Sequence, residues 1–256
     1  MQYDSHMHTA FSADSEMKAE DALARAEQLG LGLVFTEHLD IGFPGEEEFA
    51  FDPDAYWRTY EPLRGEHLML GVEVGMLPES FEASCAFVDR VPFDLVVGSV
   101  HAVEGLDLYQ PGTYEKREKQ EFYRAYLLSM ARAVYQYGFI DVLAHIDYIA
   151  RYATYAEPEL GYEDFAEELD AVLGALIATD TVLELNTRRL DGWSGIKELM
   201  PIYCRYRELG GRYITIGSDA HTTDAIGAHF DLAKELAEEC SLYPVTFCER
   251  RMEICR

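Results

Sequence analysis

Six of the eight histidines (His6, His8, His38, His101, His145 and His221) fall at or just after the end of an apolar run of strand length. Carboxylates fall with them: Asp14, Glu37, Glu73 and Asp219. Imidazole and carboxylate are the donors that hold divalent ions such as zinc, manganese or iron. In His6-Met7-His8 the two-residue period of extended chain turns both imidazoles to one side, where they can chelate one ion. Asp219-Ala220-His221 repeats the spacing inside Gly217-Ser218-Asp219-Ala220-His221, whose small residues suit a crowded site. A single histidine at a strand end is ordinarily a hydrogen-bonded structural residue. Six such sites together with three carboxylates are not explained that way. The nine donors His6, His8, Asp14, His38, Glu73, His101, His145, Asp219 and His221 exceed what one catalytic ion takes from protein, because such an ion keeps a position open. Two or three ions are therefore expected, and the absence of cysteine from the set favours Zn, Mn or Fe.

Donors scattered over more than 200 residues need a frame that gathers them. Strand-length apolar runs lie at 2–5, 31–36, 68–72, 95–99, 142–144, 182–185 and 212–216. Amphipathic segments of helical period lie at 17–29, 115–137, 162–178, 196–209 and 229–239. Alternation of this kind predicts an α/β fold with a parallel sheet or barrel, and in a barrel the strand C-terminal ends converge on one rim. Length and composition agree: 256 residues with 48% hydrophobic content suffice for a substantial core, and no linker or repeat divides residues 1–256. The formal net charge of −26 makes nucleic acid and anionic membranes poor partners. The five cysteines are odd in number and form no CxxC pair, which predicts free thiols. With no apolar stretch of membrane-spanning length and no signal-peptide pattern at the N-terminus, a soluble cytoplasmic protein is expected. His67 and His229 have no motif partner and read as structural or surface residues.

The constellation resembles the polymerase and histidinol phosphatase (PHP) family of metal-dependent phosphoesterases, on the ordered motifs His6-x-His8, Thr36-Glu37-His38, His101 and Ser218-Asp219-Ala220-His221. Glu73 and Ala144-His145-Ile146-Asp147 extend the resemblance, which spans nearly the whole chain. Within the family, the chain length, Thr36-Glu37-His38, Glu184-Leu185-Asn186-Thr187 and the last motif are most similar to the histidinol-phosphatase branch. The resemblance implies a distorted seven-stranded (β/α) barrel with a trinuclear site on its C-terminal rim. Carried over motif by motif, it implies that His6, His8, Glu73 and Asp219 hold a first ion, Glu73, His101 and His145 a second, and Asp14, His38 and His221 a third. Glu73 would bridge, and Glu73, Asp219 and His221 would be catalytic as well as ligating. Glu37 stands where many members carry aspartate, so it departs from the pattern. Near Asp14, Glu16 is a competing carboxylate.

A phosphate monoester is among the slowest substrates to hydrolyse unaided, and closely spaced cations would supply a bridging hydroxide and neutralise phosphoryl oxygens. Arg151 and Arg189 are the expected phosphate-binding residues, taken from Arg151 and the pair Arg188-Arg189 beyond the fifth and sixth strands. Asp147 and Asn186 would orient ligands or substrate, and Glu46, Glu104 or Asp107 would face a cationic end of the substrate. The specific expectation is hydrolysis of L-histidinol phosphate, a small-molecule ester, in histidine biosynthesis. Phosphotyrosine or nucleotide phosphates are the alternatives within the family. An amidohydrolase would share the HxH pair and terminal aspartate, but its usual bridging lysine is not evident. A non-catalytic scaffold would have no need of so many convergent donors.

Overall fold

A computed structural model describes residues 1–45, 49–190 and 192–255. Seven strands run parallel in the order of the sequence: β1 (Gln2–Asp4), β2 (Leu31–Leu39), β3 (Leu68–Gly75), β4 (Leu95–Ser99), then, after a small antiparallel pair β5 (Ala102–Val103) and β6 (Leu106–Asp107), β7 (Val142–Leu143), β8 (Val182–Asn186) and β9 (Tyr213–Gly217). All seven expected strands are present. β2 and β3 continue past the apolar runs to Leu39 and Gly75, so that Thr36-Glu37-His38 and Glu73 lie inside strands. The chain forms a barrel because residues after β1 hydrogen-bond to the end of β9 and to the residues that follow it: Ser5 N to Ile216 O at 2.9 Å, Asp219 N to His6 O at 2.8 Å and His8 N to Ala220 O at 2.9 Å. This seam carries the first and last histidine motifs side by side.

Eight helices flank the strands among the described residues: α1 (Ala19–Leu29), α2 (Pro53–Tyr60), α3 (Phe81–Val88), α4 (Lys119–Gln136), α5 (Tyr148–Tyr152), α6 (Ala166–Thr179), α7 (Trp193–Glu208) and α8 (Phe230–Glu239). Five match the helical periodicity, while α2, α3 and α5 are short. The start of α2 is nonetheless written locally, since the Asp52 carboxylate accepts from the amides of Asp54 and Ala55 and Pro53 fills the first turn. Helix α1 stops where Gly30 takes a left-handed conformation, φ 66°, and returns its amide to the last turn.

Apolar side chains divide by strand face. Leu33, Phe35, Leu70, Val72, Leu183 and Leu185 join the helices in the outer core, whereas Tyr3, Val34, Met69, Leu95, Val97 and Val142 fill the barrel interior. A C-terminal hairpin, not expected from the sequence, closes the bottom. Strand β10 (Tyr243–Cys248) lies parallel to β9, and β11 (Arg251–Ile254) returns antiparallel. Val245 and Phe247 complete the inner plug, and the Arg250 amide bonds to the carbonyl of Asp94, just before β4. The hairpin breaks the simple (β/α) repeat. Among the described residues, no helix is long and apolar enough to cross a membrane.

Candidate active site

At the C-terminal ends of the parallel strands lies a cavity of about 560 Å³. All nine expected donors gather beneath and around it. Glu73, fully buried on β3, is the centre. Its Oε2 lies 3.4 Å from His6 Nε2, 3.6 Å from His8 Nε2 and 2.8 Å from His38 Nδ1. Its Oε1 lies 3.3 Å from His101 Nε2 and 2.9 Å from His145 Nε2. Asp219 Oδ1 approaches His8 Nε2 at 3.4 Å, and Asp14 Oδ2 lies between His38 Nε2 at 3.5 Å and His221 Nε2 at 3.1 Å. Glu16 makes no comparable approach. Met7 between the two imidazoles is buried in the core, so the extended-chain alternation turns His6 and His8 together toward Glu73.

Among the described residues, three clusters have donor atoms within 4.8 Å of one another: His6, His8 and Glu73; His38, Glu73 and His101; and His8, His38 and His221. His38 thus stands closer to the second cluster than the motif correspondence implied, facing Glu73 with one ring nitrogen and Asp14 with the other. Buried polar atoms are normally hydrogen-bonded. Here His6 Nε2, His8 Nε2, His38 Nδ1 and Glu73 Oε2 are buried and make no hydrogen bond, although they converge within a few ångströms. Imidazole and carboxylate atoms that converge on a common point without hydrogen-bonding one another are what divalent ions require, so this donor set fits them.

Burial and neighbouring charges shift the donors in both directions, and against burial Glu184 and Glu73 raise His6, and Glu73 and Asp14 raise His38, well above the usual imidazole value. Burial pushes the Glu73 carboxyl up, but the His6, His101 and His38 imidazoles outweigh it and hold the group well below the carboxylate range. Burial likewise opposes ionisation of Asp219, and the Arg151 guanidinium with His8, His6 and Arg188 overcomes it. His8 is driven well below the usual imidazole value by burial and then by His38 and His221, which keeps its lone pair available. Burial also lowers His145. His101 moves the other way, to about 9, because Asp40 and Glu73 overcome burial.

Several supporting residues were not expected. Asp40, just beyond the second histidine motif, accepts from His101 Nδ1 at 2.9 Å and fixes that ring. A Cβ at Gly75 would overlap the Asp40 carboxylate, so this close approach needs glycine. The signal for Asp40 lies in the run Thr36-Glu37-His38-Leu39-Asp40, with the carboxylate two residues past the histidine. Glu37 points away from the donors: its carboxylate accepts from Thr9 N at 2.9 Å, Thr9 Oγ1 at 2.5 Å and Ser12 Oγ at 2.7 Å, clamping the loop after His8. Tyr148 packs its ring 4.8 Å from that of His101 and 4.9 Å from that of His145.

The arginines separate. Arg151 on α5 lines the cavity, donates to Asp219 Oδ2 at 2.6 Å and to Asn186 Oδ1 at 3.2 Å. Arg189 does not line it. Its guanidinium is held by Asp147 at 2.8 Å and Glu159 at 2.7 Å, because the turn after β8 directs it outward. Arg188 instead reaches the cavity and lies 3.2 Å from His221 Nδ1. Asp147 therefore anchors Arg189, and Asn186 supports the arginine side of the cavity. Of the carboxylates considered for a cationic ligand, Asp107 lines the cavity and Glu104 does not, while Glu46 lies outside the described residues. The β5–β6 hairpin places Asp107, Tyr109 and Gln110 at the mouth, where the Tyr109 ring stands 4.9 Å from that of Tyr152. His67 and His229 are remote from this cavity, His229 at the start of α8.

A parallel barrel whose rim concentrates imidazoles and carboxylates without a thiolate defines a class, the barrel metallohydrolases. The chain belongs to the PHP domain family, whose profile matches residues 4–188. It is 44% identical over 253 residues to a probable histidinol-phosphatase of Clostridium acetobutylicum, covering 99% of both chains. It is 32% identical to a histidinol-phosphatase of Lactococcus lactis, over 85% of this chain and 83% of that one. A crystal structure of the Lactococcus lactis histidinol phosphate phosphatase, complexed with zinc, L-histidinol and phosphate, superposes with a TM-score of 0.91 at 29% identity over 98% of each chain.

Proposed function

We propose that this protein is a metal-dependent phosphomonoesterase that hydrolyses L-histidinol phosphate to L-histidinol and phosphate, a step of histidine biosynthesis. The observation that carries the reading is the arrangement of five imidazoles around the two oxygens of buried Glu73, with orphaned donor atoms facing one another. Bound divalent ions, zinc foremost among Zn, Mn and Fe, supply an activated water and charge neutralisation at the phosphoryl group. His6, His8, Glu73 and Asp219 would hold one ion, Glu73, His101 and His145 a second, and Asp14, His38 and His221 a third, with His38 also within reach of the second. Glu73, Asp219 and His221 would be catalytic as well as ligating in this assignment.

The protein's own contribution is placement. Arg151 and Arg188 present guanidinium groups on the cavity side of Asp219, suited to bidentate contact with phosphate oxygens. Arg151 is nearly buried and fixed by Asp219 and Asn186, so it is in position before substrate arrives. The mouth of the cavity, with Asp107, Tyr109 and Tyr152, offers a carboxylate and aromatic faces to an imidazole and an amine. A small ester of this kind fits a −26 protein better than nucleic acid or an anionic membrane does. Five free thiols are in keeping with a reducing, cytoplasmic setting.

The test is steady-state phosphate release from L-histidinol phosphate, beside phosphotyrosine, a nucleoside monophosphate and an aryl phosphate, after zinc or manganese loading and again after chelation. Preferred, chelator-sensitive release from L-histidinol phosphate is expected. Release only from another ester moves the substrate and keeps the chemistry; chelator-insensitive release removes the metal reading. Within the cavity, Arg188→Ala is expected to raise KM roughly tenfold, the worth of one charge-assisted hydrogen bond. Arg189→Ala should have the smaller effect on KM and act chiefly on the melting temperature, through its lost bridges to Asp147 and Glu159. Equal KM effects at the two positions would refute the separation of their roles.

A further inference from the structure

Glu184, on β8, is buried to 1% exposure in the upper barrel, and among the described residues it has neither an arginine nor a lysine partner. An unpaired buried carboxylate is costly, so what its oxygens do requires explanation. Oε1 meets His6 Nδ1 at 2.7 Å. Oε2 accepts the backbone amide of His145 at 2.8 Å and the side-chain amide of Asn186 at 3.1 Å. One carboxylate thus reaches a ring just after the first strand and the backbone of a residue just after the fifth barrel strand. Those two residues approach opposite oxygens of Glu73.

We propose that Glu184 is the positioning residue that sets both sides of the metal centre, a proposal that rests on the metal-phosphatase reading above. By accepting a proton-bearing Nδ1 from His6, it fixes the tautomer whose Nε2 faces Glu73 with a free lone pair. By accepting the His145 amide, it fixes the chain from which that imidazole reaches Glu73. Through Asn186 its influence continues to the phosphate side, since Asn186 Oδ1 accepts from Arg151 Nη2 at 3.2 Å and from the Arg188 amide at 3.1 Å. The space for this carboxylate is maintained by the neighbouring strand: a Cβ at Gly217 would collide with Glu184 Oε1 and with the His6 Cβ. The glycine of the last motif is therefore part of the same device.

Glu184→Gln tests it with little change of volume. Three donors, from His6, His145 and Asn186, would then face a side chain with one accepting oxygen and one donating NH₂, so they cannot all be satisfied. Zinc-loaded protein is titrated with a graded series of chelators and its residual metal content measured. The expected result is a 10–100-fold weaker hold on the ions contacted by His6 and His145, with the ion at Asp14, His38 and His221 retained as in the wild type. In the zinc-loaded protein, the ring ¹⁵N spectrum should show His6 with its hydrogen on Nδ1 in the wild type and lose that signature in the variant. Gly217→Ala, which keeps the carboxylate but displaces it, should weaken zinc in the same direction, and it serves where Glu184→Gln does not fold. A folded Glu184→Gln protein that releases zinc over the same chelator range as the wild type overturns the proposal, whatever its melting temperature or turnover. Wild-type protein that binds no zinc overturns the underlying phosphatase reading, and this inference with it.

Discussion

Glu73→Gln is expected to reduce the turnover of L-histidinol phosphate roughly a thousandfold, about 4 kcal/mol of transition-state stabilisation, while the barrel remains folded. Five imidazoles look to this one carboxylate, three toward Oε2 and two toward Oε1. Glutamine has nearly the same volume, so the packing of β3 is preserved, but it removes the negative charge and turns one of the two oxygens into an NH₂ donor. That donor would face either His6, His8 and His38 or His101 and His145, and neither group could keep its lone pairs directed at a shared ion. Turnover, metal content and the far-ultraviolet circular dichroism spectrum should be measured on the same preparation. Native-like dichroism with lost metal and lost turnover is the expected combination. Unimpaired turnover would refute the central role of Glu73.

Asp94→Ala is expected to produce the largest loss of stability, about 3 kcal/mol, or a melting temperature lower by roughly 6–12 °C for a chain of this length. Asp94 is fully buried just before β4, at the end of the barrel opposite the cavity. Its carboxylate accepts from Arg64 Nε at 2.8 Å and Nη2 at 2.6 Å, from Leu70 N at 2.9 Å and from Glu249 N at 2.8 Å. Its carbonyl accepts the Arg250 amide at 2.9 Å. The side chain therefore joins β3 and the C-terminal hairpin at one point. Alanine would leave the two amides unsatisfied and Arg64 without its bidentate partner, and loosening the hairpin would unseat Val245 and Phe247 from the inner plug. Urea unfolding followed by fluorescence measures the change. At temperatures where the variant is folded its KM should stay within twofold of the wild type, because the site lies at the other rim. A loss below about 1 kcal/mol would show that the hairpin is held by its apolar contacts alone.

The active-site residues were legible to different degrees. Donor types, their order and their placement at strand ends are local properties, and the nine proposed ligands converge as that pattern required. Asp40 and Glu184 were harder to see, because a carboxylate that orients an imidazole is recognised only by what faces it across the barrel. Arg188 and Arg189 show the limit most plainly. They are adjacent and chemically identical, yet the turn after β8 sends one to the cavity and the other to Asp147 and Glu159.

For the fold the boundary is similar. Apolar alternation and helical periodicity determined seven parallel strands and five helices, because burial of one face is a short-range pattern in the sequence. The C-terminal hairpin escaped this reading: Tyr243, Met252 and Ile254 are exposed and interrupt any apolar alternation, so its pairing rests on long-range contacts with Asp94 and the bottom of the barrel. By itself the sequence determined the kind of chemistry, through the types and spacing of its donors, and the class of fold that could gather them. Tertiary structure alone decided which oxygen of Glu73 each imidazole approaches, which arginine faces the cavity and which carboxylates hold the rings in place, because those relations form between residues as far as 207 positions apart, as in Asp14 and His221, and depend on where the barrel closes.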